Sequence, residues 1–579
     1  MTGLRSERWF GPSDISGLLH RSVLRTSGVA GESAGRPLVG ICNCWSDLVN
    51  CNLHFRAIAE SVRRGVLTAG GIPAEFPAIS VGETLMKPTS MMYRNLMSMD
   101  VEESLRAYPF DAVVLIASCD KTIPAQLMGA ASADLPAIMI TGGPAEPGRY
   151  KGKRLSTATD LWRYADEFRA GRMSEDEMSE LEASLQPSVG HCNEMGTASS
   201  LSAVVEALGM SLPGSSTVPA THGRRLALGE LCGARAVELA REGTRISSIL
   251  TRAAFENAIT TLMALGGSTN GVVHLIALAG RLGIELTLDD FARISARTPV
   301  LANMKPTGEH LFQDLHDAGG VPALLAEIES LLDTSVLTVT GATLAEELAG
   351  AERIGDDPIR PLGNPLKPAA IGVVRGSLAP RGAIVKLSAA SPELMRHRGP
   401  ALVFEDISDL AARIDDPDLP ATADTVLVLR NAGPIGGPGM PEWGALPIPA
   451  KLIREGVTDM VRVSDARMSG TAFGTAVLHV SPESAAGGPL AAVQNGDPIV
   501  LDCEAGLLEL DIPEAELASR LETLPGRPAR YERGYRALYE AHVLQADQGC
   551  DFDFLRPSPG APAEDDLPTG ILEGWIGGW

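Results

Sequence analysis

The stretch DAVVLIASCDKTIPAQLMGAASADL, Asp111 to Leu135, decides the fold. Its opening, DAVVLIA, is a short apolar run typical of a strand buried on both faces. QLMGAASADL reads as a helix, so Cys119, Asp120 and Lys121 fall where a strand ends and a helix begins. In open α/β sheets that edge is where ligands bind. A thiol, a hard oxygen ligand and an amine side by side suit metal chemistry. The competing reading is a buried cysteine beside a surface ion pair, and the triplet alone does not choose between them.

The same architecture recurs on either side. PLVGICNCW (Pro37–Trp45) reads as a strand, and CNLHFRAIAESVRRGVLTAGG continues as a helix with Cys51 at its start. There the helix dipole is expected to favour thiolate. Cys42 and Cys44 lie in the strand and read as small core residues. Further on, QPSVGHCNEMGTASSLSAVVEALG again sets a cysteine, Cys192, before an apolar helix. Three thiols in one structural setting, far apart in sequence, are what a cluster assembled at one sheet edge needs. Cys232, inside LGELCGARAVELA, reads as core.

Between these motifs, AEFPAISVGETLMKPTSMMYRNLMS places Glu83 in a loop before a Met-rich helix whose methionines read as packing. The polar segment Arg149 to Glu182 reads as an insertion or a surface helical pair. ITTLMALGGSTNGVVHLIALAGRLG reads as two buried helices broken by a turn able to cap a helix and offer donors to an anion. His274 on the second helix reads as a core histidine. The pattern from Asp289 to Leu348 is largely helical.

The character changes near Asp356. DDPIRPLGNPLKPAA reads as a Pro-rich linker, and eight short strand patterns follow: AIGVVRGS, GAIVKLS, GPALVFED, DTVLVLRN, DMVRVSD, TAVLHVS, DPIVLD and GLLELDI. This density predicts a barrel or sandwich. The expectation is thus an α/β domain with a buried, largely parallel sheet over residues 1–355, and a β-barrel-like domain over residues 356–579. Two loops of the second half stand out. NAGPIGGPGMPEW carries Glu442 on a Gly/Pro scaffold, and SDARMSGTAFGT sets Ser469 among small residues.

The chain has 579 residues, too many for one core. Its formal charge of −23 disfavours nucleic acid and anionic membranes as partners. If the substrate is an anion, the site must supply local positive charge, most simply as metal ions. The N-terminus lacks the apolar core of a signal peptide, no run is long enough to span a bilayer, and eight cysteines in so long a chain are no disulfide framework. A reducing cytoplasm is the expected setting.

Taken together, CNLH at Cys51, SCDKTIPA at Cys119, GHCNEMGTAS at Cys192, GGSTN at Gly266, GPGMPEW at Glu442, DARMSG at Ser469 and HVSPESAAGGP from His479 resemble the dihydroxy-acid and sugar-acid dehydratase family over nearly the whole length. The resemblance implies that Cys51, Cys119 and Cys192 hold a 2Fe-2S cluster with one iron lacking a fourth protein ligand. It implies that Glu83, Asp120 and Glu442 bind Mg2+ together with Lys121 as its carbamate, an oxygen ligand of the kind magnesium prefers. Ser469 is then the base that takes a proton from C2, with unmodified Lys121 as the alternative. A homodimer or homotetramer acting on a small anionic acid is implied too.

Ala125, the RSERWFG start and the GCDFDFL segment look like aldonate (arabinonate- or xylonate-like) dehydratases, with branched-chain dihydroxy-acid dehydratase as the alternative. Glu194 departs from the pattern, standing where a small hydroxyl residue is expected. A carboxylate there is expected to act on the cluster's potential or on substrate preference. Two other classes compete. A zinc hydrolase would usually show closer-spaced ligand pairs. A non-catalytic iron–sulfur sensor would not need Glu83, Asp120, Glu442 and Ser469.

Overall fold

A computed structural model describes residues 3–30, 35–527 and 529–557. Strands β1 (Leu38–Asn43), β2 (Ile72–Pro77), β3 (Ala112–Ala117) and β4 (Ala137–Thr141) form one parallel sheet in the order β2-β1-β3-β4. Every residue of β1 and β3 is buried, which is why their sequences are apolar without alternation. The chain leaves β1 toward β2 on one side and returns to β3 on the other. The topological switch point therefore lies between β1 and β3, and the crevice beyond their carboxyl ends receives the loops that carry Cys51 and Cys119.

Helices cover the sheet. Phe55–Thr68 buries Phe55, Ile58, Ala59, Val62 and Val66 on one face, as its 3.6-residue spacing requires. It crosses Gly223–Glu242 backbone to backbone. A Cβ on Gly65 would fall 1.9 Å from the Glu230 carbonyl oxygen, and one on Gly233 2.2 Å from that of Val62. No side chain fits at either position.

The segment from Arg149 to Glu182 does contain a helical pair, Thr159–Arg169 and Glu175–Leu185. A hairpin of β5 (Gly148–Tyr150) and β6 (Lys153–Leu155) precedes it. It is more than surface decoration, because Asp160 is buried and paired to Lys305 at 2.8 Å. Residues 289–348 are less helical than their pattern suggests. The helices Leu288–Ser295, Phe312–Asp317, Gly320–Glu327 and Leu344–Leu348 are short, and Pro299, Pro306, Gly308 and Gly319 fall in the turns between them. The Pro-rich stretch after Asp356 is not a free linker. Ile359 is fully buried and pairs with Ala302, while Lys367 pairs with Val300.

All eight strand patterns of the second half form strands: β7 (Gly372–Gly376), β8 (Ala379–Val385), β9 (Arg396–Phe404), β10 (Val426–Leu429), β11 (Arg462–Ser464), β12 (Ala476–Ser481), β13 (Pro498–Asp502) and β14 (Leu507–Leu510). They close into a barrel of order β10-β11-β12-β8-β7-β14-β13-β9, which leaves no open edge. Along β10, Val426 and Val428 face the barrel interior while Leu427 and Leu429 pack outward with Phe404, Leu410 and Leu452. The period of two thus persists with both faces buried.

The two halves share a core. Ile371, Ile384, Met468, Ala472 and Leu478 of the second half pack in the same cluster as β1 and β3. The C-terminal segment also returns to the first half. Arg94 Nη2 donates to the carbonyls of Gly549 and Cys550 at 2.9 and 2.8 Å, and Arg281 pairs with Asp551 at 2.6 Å. Among the described residues no helix is long and apolar enough to cross a membrane.

Candidate functional site

Three loops deliver the thiols. Cys119 follows β3 directly. Thr122 Oγ1 accepts the Ser118 and Cys119 backbone N–H groups at 3.1 and 3.0 Å and turns the chain into the helix Thr122–Ala133. Cys51 lies in a single 3-10 turn, Asn50–Asn52, between β1 and the helix Phe55–Thr68. Cys192 precedes the helix Thr197–Ala207. Cys51 and Cys119 are buried together with Val49. The Cys51 thiol is pushed well above its ordinary range by its hydrogen bond with Cys119, by burial, and by the charges of Cys119, Cys192 and Asp120. Burial pushes Cys192 up as well, aided by Glu194, Asp120, Cys119 and Glu442.

This corrects the expectation for Cys51. It stands one turn ahead of the helix, and a buried site shared with other ionisable groups outweighs the dipole. Thiols that hold one another protonated lack a positive centre among them, and soft sulfur ligands suit iron–sulfur chemistry. Cys42 and Cys44 are fully buried, and Cys44 donates to the Ile116 carbonyl and accepts from Gln126. Both are core, as is Cys232 on its helix.

The carboxylates converge on Lys121. Its Nζ lies 3.2 Å from Glu83 Oε2, 3.5 Å from Asp120 Oδ2 and 3.6 Å from Glu442 Oε1, with the lysine itself fully buried. Glu83 comes from the loop after β2 and Glu442 from the loop after β10. Thr89 donates to Glu83 Oε1 at 2.5 Å, and the Ser90 hydroxyl donates to its other oxygen. Glu442 Oε1 accepts from Arg467 Nη1 and from Asn270 Nδ2, both at 2.8 Å. Burial works to raise the Glu83 carboxyl, but Lys121, Arg467 and the two hydroxyls bring it down to about 2. Burial prevails at Glu442, which is raised despite Lys121 and Arg467. At Lys121 burial and Arg467 are outweighed by the three carboxylates, so the amine is raised and held as ammonium.

Among the described residues no three His, Cys, Asp or Glu groups form a ready-made single-ion site. The ammonium stands among the carboxylates and supplies positive charge there. The donor set is nonetheless the hard oxygen chemistry that magnesium takes.

The Ser469 loop spans β11 to β12 and presses into the cleft. A Cβ on Gly470 would lie 2.7 Å from Ser268 Cβ and 3.0 Å from the Gly196 backbone, and one on Gly196 2.9 Å from Thr471 Cγ2 and 3.9 Å from Cys192 Cβ. The loop therefore sits against the Cys192 segment. Ser469 Oγ and Thr471 Oγ1 are 2.7 Å apart, Trp162 Nε1 donates to Thr471 Oγ1 at 3.2 Å, and Thr159 Oγ1 donates to the Thr471 carbonyl at 2.9 Å.

Glu194 binds the segment that leans on the Ser469 loop, since Thr159 and Trp162 also contact Thr471. Its carboxylate accepts the backbone N–H groups of Thr157, Ala158 and Thr159, capping the helix Thr159–Arg169, and burial raises its pKa. Its reach toward the thiols is the charge it exerts on Cys192. His274 is a core histidine bonded to Arg94 at 3.2 Å. Sequence reasoning did not single out Arg467, Asn270, Thr471, Thr89 or Lys386. Arg467 and Asn270 were inside quoted motifs, but nothing in the pattern marked them as partners of Glu442.

Comparison with known proteins agrees with this organisation. Residues 36–347 match the family described as dihydroxy-acid/6-phosphogluconate dehydratase N-terminal, and residues 357–550 match its C-terminal counterpart. The chain is 50% identical to the L-arabonate dehydratase of Azospirillum brasilense, covering 96% of this chain and 98% of that one. It is 47% identical to the 6-deoxy-6-sulfo-D-gluconate dehydratase of Pseudomonas putida, covering 96% and 97%. A dihydroxy-acid dehydratase of Moorella thermoacetica is 41% identical, covering 92% and 97%. With both halves matched in order and the thiols, carboxylates and serine loop meeting between them, the chain is a dehydratase and belongs to the dihydroxy-acid/6-phosphogluconate dehydratase family.

Proposed function

We propose that this protein dehydrates a sugar acid, a pentonate or hexonate, to the 2-oxo-3-deoxy acid. The observation that carries the reading is the seam itself. Three clustered thiols, three carboxylates around Lys121 and the Ser469 loop come from both halves of the chain and meet where the halves join. The higher identity to relatives named for sugar acids than to one named for dihydroxy acids supports the substrate class.

In this reading Cys51, Cys119 and Cys192 hold a 2Fe-2S cluster, and Glu83, Asp120, Glu442 and the Lys121 carbamate hold Mg2+. When bound, the cluster held by the three cysteines would supply Lewis-acid chemistry toward the leaving hydroxyl, and magnesium held by the carboxylates would offset developing negative charge. The chain's own residues do the rest. Ser469 Oγ takes the C2 proton. The Thr471 hydroxyl, whose oxygen is occupied by the Trp162 N–H, can turn its proton toward Ser469 Oγ, and the Thr471 backbone N–H also donates there at 3.3 Å. Two donors on one oxygen favour its alkoxide. Arg467 and Asn270 fix Glu442, while Thr89 and Ser90 fix Glu83. The C2–H electrons form the C2–C3 double bond, hydroxide leaves C3, and the enol tautomerises to the 2-oxo acid with no net redox change.

The same reading divides the chain into domains at residues 355 and 356 and takes it to be a cytoplasmic homodimer or homotetramer. The test is a panel of aldonates and branched-chain dihydroxy acids, assayed for 2-oxo acid after anaerobic cluster reconstitution. Turnover of an aldonate well above any branched acid is expected. The reverse preference would transfer the chain to the dihydroxy-acid branch.

A further inference from the structure

Lys386 directly follows β8, whose last residues Ala383, Ile384 and Val385 are buried and apolar, and has no exposed surface. Among the described residues it and Lys121 are the two buried lysines. Lys121 has three carboxylates; Lys386 has none within ion-pair reach among the described residues. Its Nζ donates to one acceptor, the carbonyl oxygen of Gly470, at 2.9 Å. A buried cation without a counter-charge is costly, and a methionine or leucine would fill the same space without that cost. The cost is incurred at the residue beside Ser469.

Resting on the proposed role of Ser469, we infer that Lys386 is a positioning residue for the base, its N–H···O bond to Gly470 fixing the Ser469–Thr471 turn in the cleft. Thr159 and Trp162 hold the turn at Thr471, and Lys386 holds it at Gly470. Gly470 is pressed against Ser268 and Gly196 on its far face, and it needs to lack a side chain to fit. Gly474, at the end of the loop, donates to the Ala389 carbonyl at 2.9 Å, so the segment after β8 holds the loop at two points. Only the Lys386 contact falls beside the serine. Burial alone brings the Lys386 amine down to about 7, with no neighbouring charge contributing. Either protonation state keeps an N–H to donate to Gly470.

The experiment compares cluster-loaded wild type, Lys386→Met and Lys386→Gln, using L-arabonate, or whichever aldonate the wild type turns over fastest, and its C2-deuterated form. Lys386→Met is expected to lower kcat by about a hundredfold, the scale of a lost positioned base, with KM changed less than about threefold. Its primary isotope effect on kcat should exceed that of the wild type, because C2–H cleavage becomes limiting. That ratio does not depend on the fraction of folded enzyme. Lys386→Gln restores an N–H donor and should recover at least about tenfold of the loss. Wild-type kcat in Lys386→Met, an unchanged isotope effect, or failure of both variants to fold would overturn the proposal. An inactive Ser469→Ala beside a fully active Lys386→Met would remove this inference alone, whereas an active Ser469→Ala would remove the reading it rests on.

Discussion

Lys121 Nζ lies 3.6 Å from Glu442 Oε1, so the end of β3 and the loop after β10 meet in a buried ion pair that joins the two halves of the chain. Glu442 also accepts from Arg467 and Asn270, so residues of both halves hold it in place.

Glu442→Gln keeps the volume and removes one oxygen charge. Turnover is expected to fall by about a hundredfold or more, beyond the usual cost of losing a group behind a metal ligand. Visible absorbance should be retained, because no thiol is touched. Glu83→Gln and Asp120→Asn should behave alike, and a chelator should inactivate the wild type until magnesium is returned. Full activity in metal-stripped protein that keeps its cluster would count against the magnesium role.

Serine in place of Cys51, Cys119 or Cys192 should bleach the iron–sulfur absorbance and abolish turnover. Cys232→Ser, one helix away in the core, should keep both at a modest cost in stability. A complete cluster in Cys119→Ser, measured by iron and acid-labile sulfide, would refute the assignment.

Ser469→Ala leaves every thiol and carboxylate in place. Intact absorbance, near-normal substrate binding and a fall in kcat of about a hundredfold or more are expected, together with loss of solvent deuterium exchange at C2. Turnover near the wild-type rate would pass the role of base to another group.

The buried histidines should each contribute a loss of stability on mild acidification, opposed by Glu206 and Glu483, whose carboxyls burial raises to about 7. Burial holds His54 down at about 4 and His191 and His479 at about 3, and it lowers His274 as well. Each is neutral in the folded protein, while the unfolded chain protonates it near pH 6.5. Below that pH the unfolded state binds more protons, so the stabilisation present above 6.5 is lost as pH falls toward each folded pKa. The slope approaches about 1.4 kcal/mol per pH unit for each histidine. His479 sits at φ 58°, a conformation asparagine tolerates. Denaturant titrations between pH 5 and 8 should therefore show a shallower slope in His479→Asn, and an unchanged slope would contradict a neutral His479.

Much of this was legible in the sequence, for physical reasons. A strand buried on both faces must be apolar throughout, so β1 and β3 announced themselves, and short strands between Gly and Pro turns gave all eight barrel strands. The setting of the three cysteines was legible because each lies in the stretch leading into an apolar helix. What escaped notice depends on the meeting of distant segments. Nothing near Arg467 says that it bonds Glu442, and Lys386 reads as a lysine ending a strand until the Gly470 carbonyl lies over it. The thiolate expectation at Cys51 failed for the same reason, since the burial and neighbouring thiols that raise its pKa arrive from elsewhere in the chain. The Pro-rich stretch misled because composition reports stiffness and not what packs against it.

Arg94 and Arg281 grip Gly549, Cys550 and Asp551 near the far end of the described chain. A ribosome therefore releases all three thiols and two of the carboxylates long before Glu442, Ser469 or this final clasp exists. A prematurely terminated product has the three thiols but neither the Ser469 loop nor the closing contacts. The Glu442–Lys121 pair and the shared core of the two halves can form only once nearly the whole chain has been made.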